Sequence, residues 1–292
     1  MARPFIGDII DAMAVSHTTL SSVNRAKLHY NLNGEPTFYA GRRSATFCIS
    51  IDGRCYALKC YTSTPTNVSE VCRVLSCAHS DLIIAPQFLP NELYISGRTF
   101  CGYIDALLYP WVEGDSLDFL WRKAAFNNES DTLRTLAHNF TRLALGILNS
   151  EWRHGDLKPD NIIVDRSGQM KLIDIDALYH PTLSYGGEVG TVGFVHPARG
   201  CSYDSHIDDY SIALICTALH ALALRPQLAQ KYPSAPMLIS PSEAVAGSTP
   251  ALAEIKALFG EGTPLNALAS TLEQDNYKIQ KLKELLLCIT QI

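Results

Sequence analysis

His154-Gly155-Asp156-Leu157-Lys158-Pro159-Asp160-Asn161, then Ile162-Ile163-Val164, Asp165-Arg166-Ser167-Gly168, Met170-Lys171-Leu172-Ile173 and Asp174, is the stretch on which the fold turns. Two apolar runs flank a turn cluster, which is the pattern of a β-hairpin. A hairpin centred on Ser167-Gly168 predicts that Asn161 and Asp174 face each other across its open end, about 5 Å apart at the backbone. An amide oxygen and a carboxylate placed together form a hard-oxygen pair suited to magnesium bridging phosphates. Asp156 precedes Asn161 on the same rim, where a carboxylate can accept a proton from an attacking hydroxyl.

Working outward toward the N-terminus, Thr37 to Ala40, Phe47 to Ile51 and Arg54 to Cys60 are short β-prone runs, and Asp52-Gly53 between the last two is a hairpin-turn signal. A helix is expected over Asn67 to Ala78, followed by strand-like runs ending in Ala106-Leu107-Leu108-Tyr109. Pro110 to Gly114 reads as a connector. Residues 1 to about 30 read as mainly helical, with Ile6, Ile9, Ile10 and Met13 at helical spacing, packed on the β-rich part.

Toward the C-terminus, Leu133, Leu136, Ala137, Phe140, Leu143, Ala144, Ile147 and Leu148 form one apolar stripe behind a Ser130 or Asp131 cap. Ile207 to Leu224 is apolar nearly all round, as suits a buried helix. Pro233 to Thr249, rich in Pro, Ser and Ala, reads as a surface connection, with helices at Leu252 to Phe259 and Lys278 to Leu287. The expected class is α+β, with an N-terminal helical extension at 1–33. A small antiparallel β-rich lobe follows at 34–110, then a larger, mainly helical lobe with a helical tail at 111–292, and a cleft between the lobes.

The 292 residues are 47% hydrophobic and 18% charged, which places the chain in the globular class. A net charge of −5 with no long Lys/Arg run argues against a nucleic-acid partner. The nine cysteines form no CxxC pair, so neither a zinc site nor a disulfide framework is indicated. They read as core thiols in a reducing cytoplasm. Met1 to Tyr30 lacks the apolar run of a secretory signal, and no later stretch reaches the ~18 apolar residues of a membrane span. A cytoplasmic location is expected, and the sequence carries no indication of oligomeric state.

The segment from His154 to Asp174 resembles the catalytic loop and metal-binding hairpin of protein kinases. The resemblance implies ATP and Mg2+ as cofactors, Asp156 as catalytic base, Asn161 and Asp174 as magnesium ligands, and Lys158 as the phosphate-contacting lysine. A lysine at that place is typical of Ser/Thr kinases, whereas aminoglycoside-type phosphotransferases usually carry His. Tyr56-Ala57-Leu58-Lys59 resembles the strand that presents a lysine to the α- and β-phosphates, with Glu70 as its partner. LLYPWVEGDSL at Leu107 to Leu117 looks like the adenine-holding hinge, where Trp111 and Val112 offer backbone groups beside a Tyr109 gatekeeper. Gly190-Thr191 with His196-Pro197 resembles the end of an activation segment and adds Thr191 to the catalytic set. Asp208-Asp209-Tyr210-Ser211 resembles the start of the central helix, with Asp208 bracing the catalytic loop and His154 structural. IDIDALYHPTL, GFVHPAR and DDYS together look closest to a bacterial family of eukaryotic-like serine/threonine kinases. Such a chain would transfer phosphate to a protein substrate. The alternatives are a pseudokinase serving as a nucleotide-binding or scaffolding module, and a small-molecule kinase.

The chain departs from the family pattern at several places. Ala40-Gly41-Arg42-Arg43-Ser44-Ala45-Thr46-Phe47 keeps only Gly41 where the phosphate loop usually has three glycines, leaving Arg42 or Arg43 to compensate by charge. Gly155 replaces a phosphate-sensing arginine, Asp176 the glycine of the metal-binding tripeptide, Pro110 the hinge glutamate, and Arg199 the glutamate that locks the activation segment.

Overall fold

A computed structural model of the chain describes residues 3–41, 43–77, 80–185 and 188–291. Arg42 of the expected phosphate loop and Ala78 of the expected helix lie outside the described residues. The chain is α+β and divides into two compact units, residues 1–80 with 84–112 and residues 81–83 with 113–292.

The first unit contains α1 (Ile6–Ala14), α2 (Ser16–Thr19), β1 (Lys27–Leu28), β2 (Phe38–Ala40), β3 (Ser44–Ile51), β4 (Arg54–Tyr61), α3 (Val68–Cys77), β5 (Gln87–Ser96) and β6 (Cys101–Pro110). Its antiparallel sheet runs β1-β3-β4-β6-β5, with β2 also paired to β3. Asp52 and Gly53 adopt φ of 48° and 80°, the mirror-image turn whose twist suits adjoining strands, and this sets Ile51 opposite Arg54. Phe47 and Ile49 of β3, Leu58 of β4 and Leu93 of β5 are buried in one cluster with Ile9 and Met13 of α1. Each such side chain contributes roughly 1.5–3 kcal/mol by leaving water. The helical N-terminal segment thus packs on the sheet.

Helix stops at Thr19, short of the expected extent to residue 30. The physical cause is competition for the backbone: Ser22 and Val23 donate their N–H groups to the buried Glu92 carboxylate, both at 3.0 Å, and Ser21 donates to the Glu92 carbonyl at 2.9 Å.

The second unit holds β7 (Asp115–Ser116), α4 (Leu117–Phe126), α5 (Ser130–Asn149), β8 (Ile162–Val164), β9 (Met170–Leu172), α6 (Asp209–Leu224), α7 (Leu228–Lys231), α8 (Pro241–Val245), α9 (Pro250–Phe259), α10 (Pro264–Ser270) and α11 (Leu282–Ile289). The three short strands form a sheet in the order β7-β8-β9. The α5 stripe is buried from Leu133 to Ile147, and α6 is buried on every side from Asp209 to Ala223. No side chain caps α5; Asp131 pairs with Arg134 within the first turn instead.

Pro233 to Thr249 is not a surface connection, because Met237, Leu238 and Ile239 are buried and α8 follows them. The apolar triplet outweighs the Pro and Ser around it. The cysteines are all free, but Cys55, Cys77, Cys101, Cys201 and Cys288 are exposed, so only Cys48, Cys60, Cys72 and Cys216 are core thiols. Among the described residues no helix is long and apolar enough to cross a membrane.

Candidate active site

The loop entering the hairpin is held by two buried charged groups. Arg153 donates to the carbonyls of Ile147, Ser150, Trp152 and Ser205, at 2.7–2.9 Å, and so closes the end of α5. Asp208, fully buried just before α6, accepts the N–H groups of His154 at 2.5 Å and Gly155 at 2.8 Å. The brace expected of Asp208 is therefore a two-point clamp on the loop backbone. His154 Nε2 meets the Ile173 carbonyl at 2.8 Å, which makes that nitrogen the donor and ties the loop to the far end of the hairpin.

Gly155 has φ of +76°, and a β-carbon there would lie 2.1 Å from the Ala177 carbonyl oxygen. No side chain fits, which accounts physically for a glycine at this position. Gly190, at φ +70°, is also too crowded for a side chain, since a β-carbon would lie 2.7 Å from the Gly155 carbonyl oxygen. Between these glycines Arg199, only 3% exposed, donates to the Gly155 carbonyl at 2.7 Å. Burial pushes the Arg199 guanidinium below its ordinary value, against the opposing pull of Asp208 and Asp156. Sequence reasoning missed this role because it took Arg199 only as a lost glutamate.

Four expected site residues converge. Lys158 Nζ lies 3.1 Å from Asp156 Oδ2 and donates to Thr191 Oγ1 at 2.8 Å. Asn161 Nδ2 donates to the Asp156 carbonyl at 2.9 Å and to Asp156 Oδ2 at 3.2 Å. With both donations turned toward Asp156, the Asn161 carbonyl oxygen is the end left for another ligand. Asp156 Oδ1 is buried and accepts no hydrogen bond from any described residue. A buried acceptor in that state costs about 1–3 kcal/mol, which an incoming hydroxyl donor would offset.

The hairpin is shifted by one residue from the expected register. Ile162 pairs with Leu172, and Ile173 donates its N–H to the Asn161 carbonyl at 3.0 Å, so Asn161 stands opposite Ile173 and Asp174 lies one step beyond. Asp165 is responsible: its Oδ1 accepts the N–H groups of Ser167 at 2.8 Å and Gln169 at 2.9 Å, and recentres the turn. Asp174 then adopts φ of 68°, a left-handed conformation uncommon outside glycine and tolerated by Asp, of the kind that clusters at functional positions. Asn161 and Asp174 carry an amide oxygen and a carboxylate, hard donors of the chemical kind that magnesium accepts. Among the described residues no group of three or more His, Cys, Asp or Glu forms a metal cluster.

The remaining expected residues belong to the first unit. Lys59 is buried on β4, opposite Thr46 and Leu107, with its ammonium 5.1 Å from the Tyr61 ring centre. Glu70 lies in the first turn of α3 and is half-buried. Gly41 is in the exposed turn between β2 and β3 and donates to the Ser44 carbonyl at 2.8 Å. Trp111 and Val112 are half-buried past the end of β6. The Trp111 N–H donates to the Cys55 carbonyl at 3.2 Å, so that group is committed to the end of the β4–β6 pairing and is not on offer to an adenine.

Within the second unit, a cavity of about 860 Å3 is lined by Val192, His196, Arg199, Tyr232, Pro236 and Glu243 among others. It was missed because a large part of its wall comes from the segment read as a surface connection. No protein-family model matches the chain, and no curated protein does.

Proposed function

We propose that the chain is a phosphotransferase of the protein-kinase-like kind, with the first unit as its small lobe and the second as its large lobe. It would use ATP with Mg2+ to phosphorylate a Ser or Thr hydroxyl of a protein. The observation that carries this reading is the Asp156 carboxylate, with one oxygen engaged by Lys158 and Asn161 and the other buried without a donor among the described residues. Asp156 orients the acceptor hydroxyl and takes its proton. Lys158, held by Thr191, keeps a positive charge beside the place where negative charge develops. Asn161 and Asp174 would hold magnesium, and Lys59, with Glu70 as the partner the resemblance implies, would meet the nucleotide phosphates. When bound, Mg-ATP supplies the phosphoryl group and neutralises its charge, so the protein contributes mainly positioning.

Substituting Asp156→Asn is expected to abolish transfer of labelled phosphate to a generic protein acceptor while Mg-ATP binding persists. Undiminished transfer by the variant removes Asp156 from the role of base. A second reading, a nucleotide-binding module without transfer, is favoured by the exposed turn that keeps Gly41 as its single glycine. In that case the unaltered chain binds Mg-ATP and transfers nothing.

A further inference from the structure

A second polar cluster lies in the helical unit, among residues with no part in the reading above. His138, Thr141 and Arg142 occupy one face of α5, His220 comes from α6, and Ile289 and Thr290 come from the end of α11. Together they line a cavity of about 80 Å3. That is several times the ~10–15 Å3 needed to admit one water. Thr141, His220 and Ile289 are buried and form its floor, while His138, Arg142 and Thr290 are exposed at its rim.

The hydrogen bonding of the floor is determined. Thr141 donates its hydroxyl hydrogen to the Ala137 carbonyl at 2.8 Å, so the contact of 3.1 Å between Thr141 Oγ1 and His220 Nε2 is a donation from the imidazole. The His138 and His220 rings stand 5.8 Å apart between centroids. Burial, and secondarily His138, push the His220 imidazole down to about 4, so the floor is neutral near pH 7. Arg142 makes no hydrogen bond or ion pair with any described residue.

Two histidines so close are a common start for a metal site. Here the rest of the lining opposes a cation: it contains a guanidinium, two hydroxyls and no carboxylate. The thiol beside the floor, Cys216, lies 3.4 Å from Thr141 Oγ1, and burial raises it to about 12, so it stays protonated and offers no thiolate. A guanidinium without a partner, imidazoles and hydroxyls around a space of a few heavy atoms complement a small oxyanion.

We propose that the cavity between α5, α6 and the end of α11 is a binding site for a small tetrahedral oxyanion, phosphate or sulfate, gripped by Arg142 with His138 and Thr290. The anion neutralises the rim and links the C-terminal helix to α5. This inference stands independently of the phosphotransferase reading.

The test is an imidazole NMR titration of the full chain at pH 7 with sodium phosphate, sodium sulfate and, at matched ionic strength, sodium chloride. Phosphate and sulfate are expected to move the His138 and His220 resonances along saturating curves that chloride does not reproduce. Arg142→Gln, at an exposed position, is expected to weaken the apparent affinity about tenfold or more. Resonances that stay fixed with both oxyanions, or that saturate identically in Arg142→Gln, overturn the proposal. So does a response to zinc without one to phosphate, which identifies a cation site instead.

Discussion

A β-carbon at Gly155 would stand 2.1 Å from the Ala177 carbonyl oxygen at a backbone φ of +76°, whereas one at Gly41 would find its nearest neighbour, the Ser44 carbonyl oxygen, at 3.6 Å. The two glycines therefore have opposite tolerances. Gly155→Ala is expected to cost on the order of 3 kcal/mol or more, from left-handed strain plus displacement of the 177 backbone. Gly41→Ala, in an exposed turn, is expected to stay within about 0.5 kcal/mol. Urea unfolding of both variants checks the pair, and an unaffected Gly155→Ala midpoint contradicts the steric reading of the loop. Asp156, Lys158 and Asn161, which share one short loop, and Thr191, which the resemblance added from a distant segment, do lie together in the structure. Why Gly155 is glycine did not show, since the Ala177 carbonyl that excludes a side chain approaches from a different part of the chain.

At the scale of elements, the legible features were those fixed by neighbours in sequence. Asp52-Gly53 dictated a mirror-image turn, and the eight-residue stripe on α5 dictated which face is buried, seven of the eight proving buried. The register of β8 against β9 was not legible to one residue, because the choice rests on which amides Asp165 accepts, and that is settled only when the turn closes. The α5–α6 packing carries a pH consequence. His220 is held near 4 in the folded chain against an ordinary value near 6.5, so between those values the unfolded chain binds the extra proton. Stability from this group is therefore present above about pH 6.5 and is lost as pH falls toward 4, by up to roughly 3 kcal/mol. His220→Gln removes that proton linkage. Urea midpoints at pH 7 and pH 4.5 should converge more in the variant than in the unaltered chain. An equal acid loss in both places the effect elsewhere.

For the whole molecule, the compositional change from a β-rich first third to a helical remainder is visible in the sequence, and the units divide at Val112 and Glu113. What composition hid was the burial of Met237, Leu238 and Ile239, because Pro and Ser in the same segment lower its average hydropathy while the apolar triplet alone decides its position. The chain as a whole also provides the measurement on which the nucleotide assignment rests. A ligand that binds only the folded state stabilises it by RT ln(1 + [L]/Kd), about 2.7 kcal/mol at a hundredfold excess over Kd. For a chain of this length that corresponds to a rise of about 5 °C in Tm. Mg-ATP is expected to produce such a rise, and Asp156→Asn to retain it, because that carboxylate acts on the acceptor. Asp174→Ala and Asn161→Ala are expected to lose its magnesium dependence, since each removes one of the two hard oxygens proposed for the ion. Melting temperatures indifferent to Mg-ATP across a saturating range leave neither the kinase nor the nucleotide-binding reading standing. A rise that survives in Asp174→Ala with its magnesium dependence intact moves the ion away from the end of the hairpin.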